Sequence, residues 1–273
     1  MKFSIKLFSI LLVAIIFVTA CKQGIKPASS QASDQQKLNK EEIKEGLKEV
    51  AYPLPEPFQV YNMLDDIGAS YLGSVMNPVQ NIDKYFTDKA KASNVGVYAA
   101  DLGYAATYNN AVDFKAYSTV LKSLVDDLGV SVDYSILQNE ESKEKFTNKD
   151  TLVGYITNVF YDTYSFLYAE STPSLAGLMA TGAWVEGLYI TTHISKDTYN
   201  NTEMVKIIYK QGESLGKLID LLKKFDNDET AKSLLNALIK LKGMYDSTNG
   251  SLTEEQLKSI TLTIETIRLS IIS

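Results

Sequence analysis

The sequence predicts an all-α protein, built as a multi-helix bundle or a short helical solenoid. Apolar residues recur at spacings of three and four along nearly the whole chain from Lys40 onward, and nothing alternates with period two for long. Boundary signals punctuate that pattern: Asn148, Asn201 and Thr253 stand where helix caps belong, Pro173 follows Thr172, and Asn249-Gly250 marks a turn. Cys21 is the single cysteine, so a body that begins near Lys40 is held by packing and not by disulfides.

Residues 1–20 read as a signal peptide. Lys2 and Lys6 form a positive start, an apolar run follows from Leu7 to Ala20, and the small residues Thr19 and Ala20 meet Cys21. The run is shorter than the about 20 residues that span a bilayer core, which favours a removed leader over a permanent anchor. Val18, Thr19, Ala20 and Cys21 resemble a bacterial lipobox, with Val18 in place of the usual leucine. That resemblance implies that Cys21 becomes the mature N-terminus and is lipidated. Two or more acyl chains give stable anchoring, at about 0.8 kcal/mol per buried CH₂. Residues 21–39 are polar and rich in Ser and Gln, too poor in apolar side chains to offset their ordering entropy, and read as a flexible tether. The helical domain is expected over residues 40–273.

Charge narrows the partners. Removing the leader takes two of the 27 basic residues and none of the 33 acidic ones, moving the net charge from −6 to −8. Such a chain repels nucleic acid unless a basic patch overrides the balance. The lysines from Lys206 to Lys224 are interleaved with Glu213, Asp220 and other acids, as on a solvated helix face. No nucleic-acid partner is expected.

Within the body, Pro53, Pro55 and Pro57 make an extended elbow, and Pro57 is placed to start a short helix that ends at Gly68. Asn77-Pro78 is placed to start a long helix running toward Tyr108. Further helices are expected over about 112–128, stopped by Gly129, and over 133–146. Asn148 caps the stretch from Lys149 to Ala169, where Tyr155, Val159, Phe160, Tyr164 and Leu167 fall at helical spacing. Pro173, at a first helical position where its missing N–H costs nothing, opens the next. Asn201 caps a helix carrying Met204, Ile208, Leu215, Leu218, Ile219 and Leu222, and Leu234, Leu235, Leu238, Leu241 and Tyr245 define another. Thr253 with Gln256 forms a capping box ahead of Leu257, Ile260, Ile264, Ile267 and Ile271, a single buried stripe.

Two passages look alike, GVYAADLGYA from Gly96 and GAWVEGLYIT from Gly182, and they leave open a degenerate internal duplication. Each is dense in small residues. Glycine inside a helix costs about 1 kcal/mol relative to alanine, so the pattern points to helices packed closely on each other or on a ligand.

The same passages hold the candidate chemistry. Asp101, Tyr104 and Tyr108 share one helix face, and Glu186, Tyr189 and His193 repeat that geometry. Should the two faces meet, carboxylates, phenols and the single histidine converge as in a small-molecule pocket, with Tyr98 and Trp184 beside them. The candidate ligand-binding set is therefore Tyr98, Asp101, Tyr104, Trp184, Glu186, Tyr189 and His193. The plainer expectation is that each acid accepts a phenol hydrogen bond in the core, that Trp184 is a packing anchor and that His193 is a partly buried helix-end residue. No HExxH, cysteine pair, EF-hand loop, GxSxG, P-loop or GxGxxG occurs, so neither a metal nor a cofactor is expected.

From Tyr52 to about Tyr108 and from Asn148 to His193 the chain resembles an uncharacterised helical lipoprotein family of Bacteroidota, whose function is unassigned. The residues that carry the resemblance are YPLPEPFQVYNMLDDIGASYLGSVMNPVQNIDKY, NVGVYAADLGYA and GAWVEGLY. It implies an all-helical lipoprotein of the cell envelope and transfers no catalytic residue. Surface-exposed lipoproteins of that phylum often carry acids just after the cysteine. Lys22, Gln23, Gly24, Ile25 and Lys26 supply none, which favours an outer-membrane address facing the periplasm. The expected function is binding of an envelope protein or a small-molecule ligand without catalysis. The alternative is a periplasmic enzyme using Glu186 or Asp101 with neighbouring tyrosines.

Overall fold

A computed structural model describes residues 58–132, 148–170, 172–195 and 198–273. The leader, Cys21, the tether, the proline elbow and the helix expected over 133–146 lie outside the described residues. Within them the chain is an all-α bundle of eight α-helices: α1 Gln59–Asp66, α2 Asp88–Thr107, α3 Ala111–Asp127, α4 Lys149–Glu170, α5 Pro173–His193, α6 Thr202–Leu222, α7 Glu229–Asp246 and α8 Glu254–Ile272. None of them is long and apolar enough to cross a membrane.

Helices α2 and α5 form the centre. Nearly every residue from Ala92 to Thr107 and from Ser174 to Leu188 is buried, so neither helix has a solvent face. A helix apolar all round belongs in the middle of a bundle. The flanking helices are one-sided as expected. On α8 the buried residues include Leu257, Ile260, Ile264, Ile267 and Ile271, and on α7 they include Leu234, Leu235, Leu238, Leu241 and Tyr245.

Glycine sets the spacing of the central pair. A Cβ at Gly96 would lie 1.9 Å from the Met179 carbonyl oxygen, and one at Gly182 would lie 1.9 Å from that of Ser93. The backbones are in direct contact at both points, an approach that a side chain at either position forbids. Gly182 also faces Val97, and Gly96 faces Ala183. Lys89 and Ser174 meet at Asp228, Gly96 lies between Met179 and Ala183, and further along Asp101 comes to Glu186, so partner numbers rise together and α2 and α5 run side by side in the same direction.

The caps are those expected from sequence for α4, α6 and α8. The Asn148 and Asn201 side chains accept from the main chain of Thr151 and Met204, and the Thr253–Gln256 capping box is complete in both directions. Gly68, Gly129 and Gly250 adopt φ of 73°, 72° and 81°, the left-handed conformation that lets the chain turn out of a helix.

One expectation is corrected. Asn77-Pro78 does not open a long helix; Val79–Lys84 forms a 3₁₀ turn, the chain breaks around Tyr85, and α2 starts at Asp88 with the Thr87 side chain accepting the Ala90 N–H. The reason lies in the burial of Asn77. Its carbonyl accepts the Tyr117 hydroxyl at 2.9 Å, its side-chain amide donates to the Tyr85 hydroxyl at 3.0 Å, and the Pro78 carbonyl accepts the Tyr98 hydroxyl at 2.9 Å. Tertiary hydrogen bonds thus hold the backbone where sequence offered a helix start.

Candidate functional site

Because α2 and α5 run side by side, the faces that carry Asp101 and Glu186 do meet. Both side chains are fully buried, and each carboxyl bears on the other's proton. A third helix completes the cluster: Arg268 of α8 donates from Nε to Glu186 Oε2 at 2.6 Å and from Nη2 to Oε1 at 2.7 Å. This is the bidentate geometry in which a guanidinium matches a carboxylate. The same Nη2 reaches the Val75 carbonyl at 3.3 Å, so the guanidinium ties α8 to α5 and to the 3₁₀ turn Gly73–Val75.

Asp101 is held less fully. Its Oδ2 accepts the Asn77 N–H at 3.2 Å, while Oδ1 is buried and accepts no hydrogen bond. Burial pushes the Asp101 carboxyl well above the usual carboxylate range, and the charge of Glu186 adds to the rise while Arg268 opposes it. Burial raises Glu186 as well, against the pull of Arg268 and its two hydrogen bonds. Neither acid accepts a phenol hydrogen bond; the expectation that tyrosines would satisfy them is corrected by Asn77 and Arg268. At Glu186 the physical reason is that a desolvated carboxylate needs a compensating charge, which Arg268 carries and a phenol does not.

The other candidate residues divide into three groups. Tyr189 lies under the guanidinium, whose carbon sits 4.0 Å from the ring centroid, and His193 stacks on Tyr189 with centroids 4.0 Å apart. The His193 Nδ1 is 2.8 Å from the Tyr189 carbonyl, which places the ring proton on Nδ1. Burial lowers the His193 pKa, so the ring is neutral at neutral pH. Tyr104 faces the other way: its hydroxyl accepts the Leu72 N–H at 2.8 Å, and its ring packs among Tyr61, Tyr71 and Tyr108 with centroids 4.8 to 5.3 Å away.

Tyr98 and Trp184 are brought near neither group. Tyr98 packs between Tyr85 and Tyr117, and Trp184 donates from Nε1 to the Ser214 hydroxyl of α6 at 2.9 Å, the packing-anchor role expected of it. The seven candidates thus contribute to a buried ionic node and to several aromatic contacts.

Two participants escaped the sequence reading, Arg268 and Asn77. Arg268 carried a readable signal. It is the sole arginine among the 27 basic residues, and it stands within the apolar stripe of α8 beside Ile264, Ile267 and Ile271. An unpaired cation there is costly, so its position alone calls for a buried acid. Asn77 carried no such signal, since an asparagine before proline is ordinary turn chemistry.

Comparison with protein-family models, with curated proteins and with solved structures finds no match. The geometry therefore stands alone. Among the described residues no group of three or more His, Cys, Asp and Glu side chains is placed to hold a metal ion. The node joins α2, α5, α8 and the turns before α2, and what it does chemically is neutralise and orient those elements inside the core.

Proposed function

We propose that this chain is a lipid-anchored helical protein of the bacterial cell envelope, related to the Bacteroidota lipoproteins it resembles, and that it binds a protein or small ligand there without catalysing a reaction. The observation that carries the address is the run Val18-Thr19-Ala20-Cys21 at the end of a basic and then apolar leader. The polar stretch to residue 39 is suited to hold a globular body off a membrane surface, on the periplasmic side of the outer membrane.

Binding is favoured over catalysis by the state of the two acids. A general acid or base must come within hydrogen-bond reach of its substrate. Glu186 has both oxygens engaged by Arg268, and it and Asp101 are shut inside the bundle. Recognition on this reading belongs to the outer surface of the bundle.

The deciding experiment is metabolic labelling with a radiolabelled or clickable fatty acid. The wild type should take up label and migrate as a shortened mature form, whereas Cys21→Ser should remain unlabelled and uncut. A labelled Cys21→Ser protein would sink the lipoprotein reading. Affinity capture of the lipidated protein from intact envelopes, followed by mass spectrometry of bound proteins and small molecules, then tests the binding role; recovery of a turned-over product in place of a retained ligand would favour the enzyme.

A further inference from the structure

Two carboxyl groups and one guanidinium meet in the core with all three side chains buried. If both acids were ionised the cluster would carry a net negative charge with no water to solvate it, an arrangement that proteins avoid by taking up a proton. The hydrogen bonds say which acid takes it. Glu186 receives a charged N–H on each oxygen, as a carboxylate does. Asp101 receives one main-chain N–H, and its Oδ1 is buried with no hydrogen-bond partner, in the same cluster as Glu186. A contact between two acids is a hydrogen bond only when one of them has a proton to give.

We propose that Asp101 holds a proton that it donates to Glu186, and that loss of this proton in alkaline solution unlatches α8 from the α2–α5 seam. The C-terminal end of α8 is where such a latch acts. Besides Arg268, the Ile271 carbonyl accepts from the Asn94 side chain at 2.9 Å and the Ile272 carbonyl is 3.5 Å from the Tyr85 hydroxyl. All these contacts sit on α2, α5 or the segment that contains Asn77, so a charge released between Asp101 and Glu186 strains them together.

The groups facing the node leave Asp101 as the one that titrates. Tyr61 of α1, Tyr85 before α2, Tyr98 and Tyr104 of α2, Tyr117 of α3 and Tyr189 of α5 are all raised by burial, Tyr104 to about 12, so the phenols keep their protons as Asp101 loses its own. His193 is already neutral. The further charges whose fields reach these rings are Asp113 of α3 and Glu265 of α8, both acidic, and Arg268 is the cation set against them. A carboxyl whose folded pKa lies above its unfolded value, about 3.9, contributes stability that is complete below the unfolded value and lost as pH rises through the folded one.

The test uses the full chain in detergent, labelled with carboxyl-¹³C aspartate, and infrared spectroscopy of the protonated carboxyl C=O stretch. At pH 7 the wild type should show such a band, shifted by the label, and Asp101→Asn, which keeps the shape and can still donate to Glu186, should lack it. Hydrogen exchange at the Ile264, Ile267 and Ile271 amides should speed up from pH 7 into alkaline solution by at least threefold more in the wild type than in Asp101→Asn, the comparison at each pH cancelling the intrinsic rate. No label-shifted band at pH 7, or equal acceleration in both proteins, would overturn the proposal. Should Asp101→Asn fail to fold, the wild type decides: the band must fade over the same pH range in which α8 loses protection, and a band that is absent or fades alone refutes the latch.

Discussion

Gly96→Ala adds one methyl group where the main chains of α2 and α5 touch. The new Cβ would lie 1.9 Å from the Met179 carbonyl oxygen and 2.7 Å from the Ala183 nitrogen. Restoring an ordinary contact requires the helices to part locally by about 1.5 Å, enough to forfeit a large share of the dispersion energy along the seam. Overpacking a core in this way costs about 1–3 kcal/mol and occasionally more. The obstacle here is backbone on a fully buried helix, with no side chain to swing aside, so the upper end applies. Alanine's better helix propensity returns at most about 1 kcal/mol, which leaves a net loss of about 2 kcal/mol or more. Gly154→Ala is the matched control: it too lies inside a helix, and its Cβ would meet nothing within 4 Å. That variant should gain up to about 1 kcal/mol. Urea unfolding followed by far-ultraviolet circular dichroism, with midpoints compared at a common slope, measures both. Gly182→Ala should resemble Gly96→Ala, and the double variant should lose less than the two single losses added together, because one parting of the helices relieves both clashes. A Gly96→Ala protein as stable as the Gly154→Ala control would refute the close backbone contact and the way α2 and α5 are packed.

Ile264→Ala empties a fully buried site on α8 and should destabilise by about 2–5 kcal/mol; a change in the urea midpoint equivalent to less than about 0.5 kcal/mol would make α8 peripheral. Arg268→Met removes the cation from two buried acids and should cost about 3–5 kcal/mol, with the loss growing as pH rises because both carboxyls then favour their neutral forms; a loss independent of pH between 5 and 8 would contradict that account. Asp228 caps α7 by accepting the Thr230 and Ala231 N–H groups and meets Ser174 and Lys89 at 2.9 Å. Burial alone would raise its pKa, but the Lys89, Ala231 and Ser174 hydrogen bonds hold it below the usual carboxylate range. Its contribution is therefore present above the unfolded pKa of about 3.9 and lost as pH falls through the lower folded value. Asp228→Asn should be less stable than the wild type at pH 6, and the two should converge in acid; curves that stay parallel down to pH 2 would show that the charge of Asp228 is immaterial.

Much of the architecture was legible in the residues because its causes are local. The α8 stripe, its capping box, the asparagine caps of α4 and α6 and the glycine stops all act within a turn or two of their own position, where periodicity and side-chain hydrogen bonding leave a direct mark. The small residues of the Gly96 and Gly182 passages likewise announced a close approach. Local signals misled at Asn77-Pro78, where a sound helix start is overruled by a hydrogen bond to Tyr85 and by those from Tyr98 and Tyr117, partners up to 40 residues away. They were also silent on how the two acids are satisfied.

By itself the sequence determined the helical class, the order of most helices, the caps of α4, α6 and α8, the absence of a disulfide framework and the two acid-bearing faces. It also carries the basic and then apolar run that precedes Cys21. Only the tertiary structure decided that those faces meet, that Arg268 crosses from the last helix to hold Glu186, that Tyr98 packs between Tyr85 and Tyr117 and that Trp184 anchors on Ser214 of α6. The physical reason is range: capping and amphipathicity are settled between residues a few positions apart, whereas the neutralisation of a buried charge depends on whichever opposite charge the folded chain delivers, here from 82 residues further along.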